Sequence, residues 1–275
     1  MPIQKPIKRN RLRIYLGKKY YRLKRYWEWY TDGKKYAKQK EKAKLRHVIF
    51  THQTPLLRQL KDVDMWLQHN KVKNLTIAAN SLNGIVLKPG ETFSYWRLLG
   101  NTSKSKGYVE GMILHYGKVT TGTGGGLCQL SNLIYWMTLH TPLSVIERYR
   151  HSYDVFPDSK RSQPFGSGAT CAYNYLDLQI KNETNNTYQL VIYLTDTHLV
   201  GEWRADVPQT RTYEVYEKEH WITQEYWGGY ARHNTIQRKV YNLNQELLED
   251  EYITENNAIM MYEPFLPDGN SSNGS

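Results

Sequence analysis

The sequence predicts an α+β protein in which helices come first and a mainly antiparallel sheet follows. Apolar residues recur at helical spacing before residue 140, and runs of β-branched and aromatic residues prevail after it. At the crossover, a glycine-rich run over 122–126 leads directly into Cys128 and a buried-helix pattern over 127–139. Segregated helices and strands of this kind are typical of the α+β class.

The basic charge of the chain belongs to its first 50 residues. The 275 residues carry a formal net charge of +11, enough length for one large or two small domains. Residues 1–50 hold 17 Lys/Arg and three Asp/Glu, a net of +14, whereas the remainder has a net of −3. Because no recognisable nucleic-acid-binding module accompanies the charge, we expect no nucleic-acid partner.

The N-terminal segment mixes cations with aromatic residues. Its apolar positions recur mostly at three- and four-residue steps, which predicts an amphipathic helix to about Tyr30, and a second charged helix is expected over 34–46. Such a helix could lie on an anionic membrane surface. The commoner fate is docking of its aromatic face on its own domain, and we expect that fate here.

The middle of the chain alternates helix and strand signals. Thr54-Pro55 is typical of an N-cap followed by a helix start, and Asn83-Gly84 of a helix end. Helices are predicted over 56–70, 74–82 and 93–99, the last capped by Thr92 or Ser94, and strands over 85–87 and 108–116.

Strand signals dominate after the central helix. Strands are predicted over 143–151, 169–175 and 176–181, and a hairpin over 188–204 turns at Asp196-Thr197. Further alternating stretches over 212–216, 237–241 and 252–261 predict a β-rich C-terminal extension, with a turn at 242–244. The tail over 267–275 is polar and Gly/Ser-rich, and we expect it to be disordered.

Membrane and targeting signals are missing from the sequence. No window reaches 18 consecutive apolar residues, and the N-terminus lacks the apolar core of a secretory signal. Two cysteines give no disulfide framework, although one bridge between them could form. We therefore expect a cytoplasmic protein.

Cys128 is the candidate nucleophile. In the first turn of a helix, unpaired N–H groups and the helix dipole favour a thiolate. His151 is the candidate base and Asp177 the acid that orients it, with Asp154 as the second choice of acid; the N–H of Cys128 and the side chain of Gln129 would be oxyanion donors. Against this stands the plain alternative of a small buried cysteine beside glycines that serve packing alone.

Other chemistry is less well supported by the residues. Cys128, His151 and Cys171 could supply three zinc ligands, but no short Cys or His pair anchors such a site. The glycine run lacks the Lys-Ser/Thr of a phosphate-binding loop and the spacing of a dinucleotide fingerprint. We therefore expect neither a metal nor a cofactor.

Four segments of the chain form a distinctive set of motifs. They are Gly-Gly-Gly-Leu-Cys-Gln-Leu-Ser-Asn at 124–132, Lys-Pro-Gly-Glu-Thr-Phe-Ser at 88–94 with Trp96 following, Glu-Arg-Tyr-Arg-His-Ser-Tyr-Asp at 147–154, and Gly-Ala-Thr with Tyr173, Asp177 and Asn182 within 168–182. Together they resemble the VanW family, named from an accessory gene of B-type vancomycin-resistance clusters. The resemblance runs from about residue 74 to 204. Together with the charge, strand and composition signals above, it predicts a VanW-like domain at 51–204 between a basic N-terminal segment at 1–50 and a C-terminal extension at 205–266, with a tail at 267–275.

The resemblance implies an accessory role in glycopeptide resistance. The order of glycine loop, cysteine, helix, histidine and aspartate is also similar to that of transglutaminase-like and papain-like thiol enzymes. One hypothesis is therefore a thiol-dependent amide or peptide hydrolase or acyltransferase acting on cell-wall precursors. The other is a non-catalytic binding or scaffold protein at the cytoplasmic membrane face, with a peptidoglycan precursor or peptide-like small molecule as partner.

Overall fold

A computed structural model describes residues 7, 9–57, 64–115, 117–155 and 163–264, and its helices and sheets confirm the α+β class. The helices in this part are α1 (Arg11–Thr31), α2 (Met65–Leu82), α3 (Tyr95–Leu99) and α4 (Cys128–Thr138), with a 3₁₀ turn at Lys104–Lys106. The strands are β1 (Lys35–Tyr36), β2 (His47–Pro55), β3 (Ile85–Leu87), β4 (Glu91–Ser94), β5 (Glu110–His115), β6 (Lys118–Thr123), β7 (Ser144–Glu147), β8 (Tyr153–Asp154), β9 (Gln179–Lys181), β10 (Tyr188–Leu194), β11 (His198–Ala205), β12 (Arg211–Gln224), β13 (Tyr230–Asn242) and β14 (Leu247–Met260).

We call residues 35–205 the body of the protein. It contains two four-stranded sheets, ordered β1-β4-β9-β7 and β2-β11-β10-β3, and the β5-β6 hairpin. The predicted hairpin over 188–204 is confirmed as β10 and β11. The helix α4 packs on β2 and β11. At Gly201, a Cβ atom would lie 2.6 Å from Met137, and the Trp203 indole donates to Thr138 Oγ1 at 3.1 Å. The helix and sheet therefore meet closely at a site that leaves no room for a side chain.

A third sheet, ordered β12-β13-β14-β8, confirms the predicted β-rich C-terminal stretch and its turn after β13. Its edge strand β8 comes from the body and pairs in parallel with β14. Arg238 donates to the carbonyl oxygens of Leu139 and Thr141 at 3.0 and 2.9 Å, just beyond α4. Hydrogen bonds therefore join residues on the two sides of position 205. The domain boundary predicted there is not tested by these contacts and stays a prediction.

The second N-terminal helix predicted over 34–46 is wrong. This segment contains β1, which pairs in parallel with β4, and then runs extended. The Ala37 N–H donates to Thr92 O and the Glu41 N–H donates to Gly84 O, both at 2.9 Å. Because these charged residues offer no apolar stripe to bury, pairing with the rest of the body satisfies their backbone better than an isolated helix would.

The helix predicted to begin at Thr54-Pro55 is also wrong. Both residues end β2, an edge strand that pairs with β11, and the last residue of an edge strand tolerates proline. The helix α2 begins at Met65 and continues without the predicted gap to Leu82, while residues 58–63 lie outside the described part. Its predicted end at Asn83-Gly84 is confirmed.

Two later segments differ from their predicted strands. The strand predicted over 143–151 is confined to β7, and the one predicted over 169–175 is wrong. There only a single bridge joins Ala172 to Leu176, because the backbone at 169 is instead bonded to side chains of α4. The Ser94 cap of α3 is confirmed, and its hydroxyl accepts from the Arg97 N–H. The tail over 267–275 lies outside the described residues.

Candidate functional site around Cys128

The glycine run before Cys128 permits close backbone packing. A Cβ atom on Gly125 would lie 2.2 Å from the carbonyl carbon of Gly111, and one on Gly126 would lie 2.3 Å from the Lys71 side chain. Gly124 and Gly126 also have φ angles of +77° and +90°, which favour glycine. The close approach that the sequence predicted is therefore made by the protein's own backbone.

Asn74 fastens this loop to α2. Its amide nitrogen donates to Val109 O at 3.1 Å and Gly125 O at 2.9 Å, and its oxygen accepts from the Val109 N–H at 2.9 Å. Asn74 is fully buried, so these bonds replace those it would make to water. The sequence analysis did not single out this residue, because α2 holds three asparagines and nothing in the spacing distinguishes Asn74 from the other two.

The thiol of Cys128 is the first side chain of α4, directly after the glycine loop. Burial raises the pKa of this thiol, while the backbone N–H groups of Cys171 and of Cys128 itself oppose the rise by hydrogen-bonding to the sulfur. Burial outweighs them, so the thiol is neutral near pH 7. A helix N-terminus alone would lower the pKa of the thiol, and desolvation reverses that shift.

The segment at 169–171 holds Cys171 next to the start of α4. The Ser131 hydroxyl donates to Ala169 O at 2.6 Å and lies 3.2 Å from Cys128 O. The Asn132 side-chain oxygen accepts from the Ala169 N–H at 2.8 Å. The pKa of Cys171 lies well above its usual value because of burial and because of the charges of Asp177 and Cys128.

Asp177 joins Ser94 in capping α3, and no hydrogen bond joins it to a histidine among the residues that the structure describes. Its carboxylate is fully buried and accepts from Ser94 Oγ at 2.5 Å and from the N–H groups of Trp96 and Leu178, each at 2.9 Å. Burial raises the pKa of Asp177 to about 7, despite the lowering effect of the bonds from Ser94 and Trp96. The sequence correctly marked this acid as needing a partner, but the partner is α3.

His151 is not joined to either candidate acid by a hydrogen bond within the described residues. Burial, together with the charge of Arg150, lowers the pKa of His151 to about 4, so the ring is neutral near pH 7. Asp154 lies on β8, where it accepts from the Tyr262 hydroxyl at 2.8 Å and lies 3.7 Å from Arg232 Nη1. Asp154 therefore ties the C-terminal sheet to the body.

The amide of Gln129 is also bonded within the fold. Its nitrogen donates to Thr54 Oγ1 at 2.8 Å and to Pro55 O at 2.9 Å, which attaches α4 to the end of β2. Both N–H groups of this amide are therefore used. In the ranges that the structure describes, no group of three His, Cys, Asp or Glu side chains is placed to hold a metal ion, so Cys128, His151 and Cys171 do not assemble a zinc site there.

The segments that carry the family resemblance meet in one place. Ser94 and Asp177 bond to each other, the Asp177 N–H donates to Glu147 Oε1 at 3.3 Å, and Ala169 is bonded to α4 through Asn132. These residues come from four separate segments of the sequence. The shared motifs therefore form one connected network around the starts of α3 and α4.

Comparison with known proteins agrees with these motifs. The family described as "VanW like protein" matches residues 70–204. The vancomycin B-type resistance protein VanW of Enterococcus faecalis is 39% identical over 184 residues, which is 67% of this chain and 67% of that protein. The chain belongs to the VanW family. Its membership confirms the resemblance inferred from the four segments.

A second relative has lower identity to this chain. The uncharacterized protein YoaR of Bacillus subtilis is 30% identical over 115 residues, which is 41% of this chain and 35% of YoaR. The chain thus spans about two thirds of the enterococcal relative and about a third of YoaR. No solved structure matches, so the similarity to transglutaminase-like and papain-like enzymes stays untested. No helix among the described residues is long and apolar enough to cross a membrane.

Proposed function

We propose that this protein takes part in vancomycin resistance as an accessory binding protein, with Cys128 serving the fold. The resistance role follows from its similarity to the enterococcal VanW protein. The observation that supports binding over catalysis is the use of Asp177 as the cap of α3, which leaves His151 without that acid. A peptidoglycan precursor or a peptide-like small molecule is the proposed ligand class.

A thiol hydrolase or acyltransferase is the second candidate. The backbone N–H groups of Cys171 and Cys128 lower the pKa of the Cys128 thiol against the larger effect of burial, and such donors stabilise a thiolate. In this alternative Cys128 attacks an amide carbonyl while His151 takes the thiol proton and passes it to the amine, which leaves as the C–N bond breaks. Water or an acceptor nucleophile then cleaves the thioester and frees the thiol. Asp177 or Asp154 would have to reach His151 after a rearrangement. Gln129 would have to release β2 before it could act as an oxyanion donor.

The pH dependence of Cys128 alkylation by iodoacetamide separates the two candidates. The measurement compares Cys171→Ala with the double variant Cys171→Ala, His151→Ala, so that one thiol remains in each. A binding protein gives an apparent pKa above the ordinary value of about 8.5, unchanged by loss of His151. An apparent pKa well below that value, which rises when His151 is removed, would establish an activated pair.

Resistance itself gives the functional test. We expect deletion of this gene to lower the minimum inhibitory concentration of vancomycin. The deletion strain is then complemented with wild type, Cys128→Ser or the matched Cys171→Ser. We expect both variants to restore resistance, and a soluble muramyl peptide to bind wild type and Cys128→Ser equally in calorimetry. Loss of resistance with folded Cys128→Ser alone would favour the enzyme, and no effect of the deletion would remove the resistance role.

A further inference from the structure

We propose that the exposed face of α1 is a docking surface for an anionic lipid bilayer. One apolar stripe runs along this helix at steps of three and four residues, so its members lie on a single face. The apolar stripe consists of Leu12, Leu16, Tyr20, Leu23, Trp27 and Tyr30, which are between 54% and 80% exposed.

The opposite face of α1 holds it to the body. Arg25 is buried and donates from Nη1 and Nη2 to the two carboxylate oxygens of Glu147, and Nη2 also donates to Tyr175 O at 3.1 Å. Arg22 Nε donates to Tyr173 O at 3.0 Å, and Trp29 is buried. At 100° per residue these docked positions lie across the helix from the stripe. Docking therefore leaves the stripe facing away from the protein, contrary to the expectation that it packs on the body.

The charges beside the apolar stripe indicate what covers it. The helix α1 carries seven Lys/Arg and a single acid, Glu28. Six of these cations are exposed, namely Arg11, Arg13, Lys18, Lys19, Arg22 and Lys24. At 100° per residue, Arg13, Lys19 and Lys24 lie directly beside the stripe. An apolar face with tryptophan and tyrosine, flanked by exposed cations, matches the boundary between acyl chains and anionic headgroups.

The shape of the surface favours a bilayer over a protein groove. The 21-residue helix is about 31 Å long, and its stripe extends over nearly all of that length. A Cβ atom on Gly17, near the middle of α1, would meet no atom within 4 Å, so open space continues along the helix beyond its docked half. A long convex stripe of this kind can lie flat on a planar surface.

Vesicle flotation of the full chain tests this surface. We expect binding to vesicles of equal parts phosphatidylglycerol and phosphatidylcholine, and far weaker binding to phosphatidylcholine alone. The stripe variant Leu16→Gln, Leu23→Gln, Trp27→Gln should reduce the partition coefficient about tenfold or more, because each side chain loses favourable apolar burial.

A matched control carries the same number of glutamines at equally exposed apolar positions elsewhere. The triple variant Tyr226→Gln, Leu243→Gln, Tyr252→Gln removes side chains that are 62% to 80% exposed on the C-terminal sheet, and it should bind vesicles like wild type. Replacing Arg13 and Lys19, the exposed cations on either side of the stripe, with glutamine, or raising the salt to about 0.5 M, should weaken binding severalfold.

Each other outcome overturns the proposal. Equal binding by wild type and the stripe variant would mean that lipid does not contact the stripe, and absence of binding to anionic vesicles would mean that no bilayer covers it. Concentration-dependent self-association that only the stripe variant abolishes would assign the surface to a second copy of this chain. The vesicle measurements do not depend on Cys128, so Cys128 variants should bind vesicles like wild type. The resistance measurement tests the proposed function separately.

Discussion

The surroundings of α4 and the helix α1 use their residues in opposite ways. Around α4, polar side chains of the family segments are buried and hydrogen-bonded within the fold, as Asp177 and Ser131 illustrate. On α1, most of the large apolar side chains face solvent, and exposed cations lie beside them. A motif can therefore mark the part of a fold that must be held together, while a surface without any motif remains available to a partner.

The largest expected effect is on stability, and it is tested by replacing one glycine in each region with alanine. Gly125→Ala would place a Cβ atom 2.2 Å from the Gly111 backbone, and backbone atoms cannot yield cheaply. We expect a loss of about 5 kcal/mol in the free energy of unfolding, or failure to fold. Urea denaturation followed by circular dichroism measures it.

The matched change on the other region is Gly17→Ala in α1, where the new methyl group meets open space. This variant should be neutral or more stable by up to about 1 kcal/mol, because alanine has the higher helix propensity. Similar losses for both variants would contradict the contrast between a tightly packed loop and an open helix.

The next effect concerns the buried carboxyl of Asp177. Its folded pKa of about 7 lies above the ordinary unfolded value of about 3.9, so the folded state binds the extra proton between these values. Stability relative to Asp177→Asn should therefore fall as the pH rises from 4 through 7, by up to about 4 kcal/mol. Denaturation of both proteins across pH 4–9 tests this.

The difference between the two proteins isolates Asp177 from the histidines. The pKa of both His140 and His151 is lowered to about 4, so they destabilise the fold as the pH falls from 6.5 through 4, in wild type and variant alike. A difference between wild type and Asp177→Asn that stays constant over the whole range would show that Asp177 does not titrate as expected.

The smallest effect compares two neighbouring cations of α1. Arg25→Met leaves the Glu147 carboxylate without its buried partner and should cost about 2 kcal/mol, since one charge of a pair is stranded. Lys24→Met removes only an exposed contact to Glu28, which is worth about 0.3 kcal/mol. Limited proteolysis should cut within α1 faster in the Arg25 variant, and equal cutting of both variants would count against Arg25 as the anchor.

Local patterns predicted the elements whose partners are close in sequence. The hairpin of β10 and β11 followed from alternating apolar residues around Asp196-Thr197, and α4 from apolar spacing after the glycine run. The start signal at Thr54-Pro55 failed, because pairing of β2 with a strand about 145 residues later outweighs a local capping preference.

The features of the candidate site can be separated in the same way, into those set by neighbouring residues and those set by distant contacts. The sequence by itself determined that Cys128 opens α4 after a glycine loop, that Asp177 needs a partner, that α1 is basic and amphipathic, and that the chain resembles the VanW family. Only the tertiary structure decided that Ser94 and Trp96 bind Asp177, that burial keeps the thiol neutral, and that the apolar stripe faces outward. Desolvation and long-range contacts depend on residues far apart in the chain, whereas spacing and propensity are properties of neighbours.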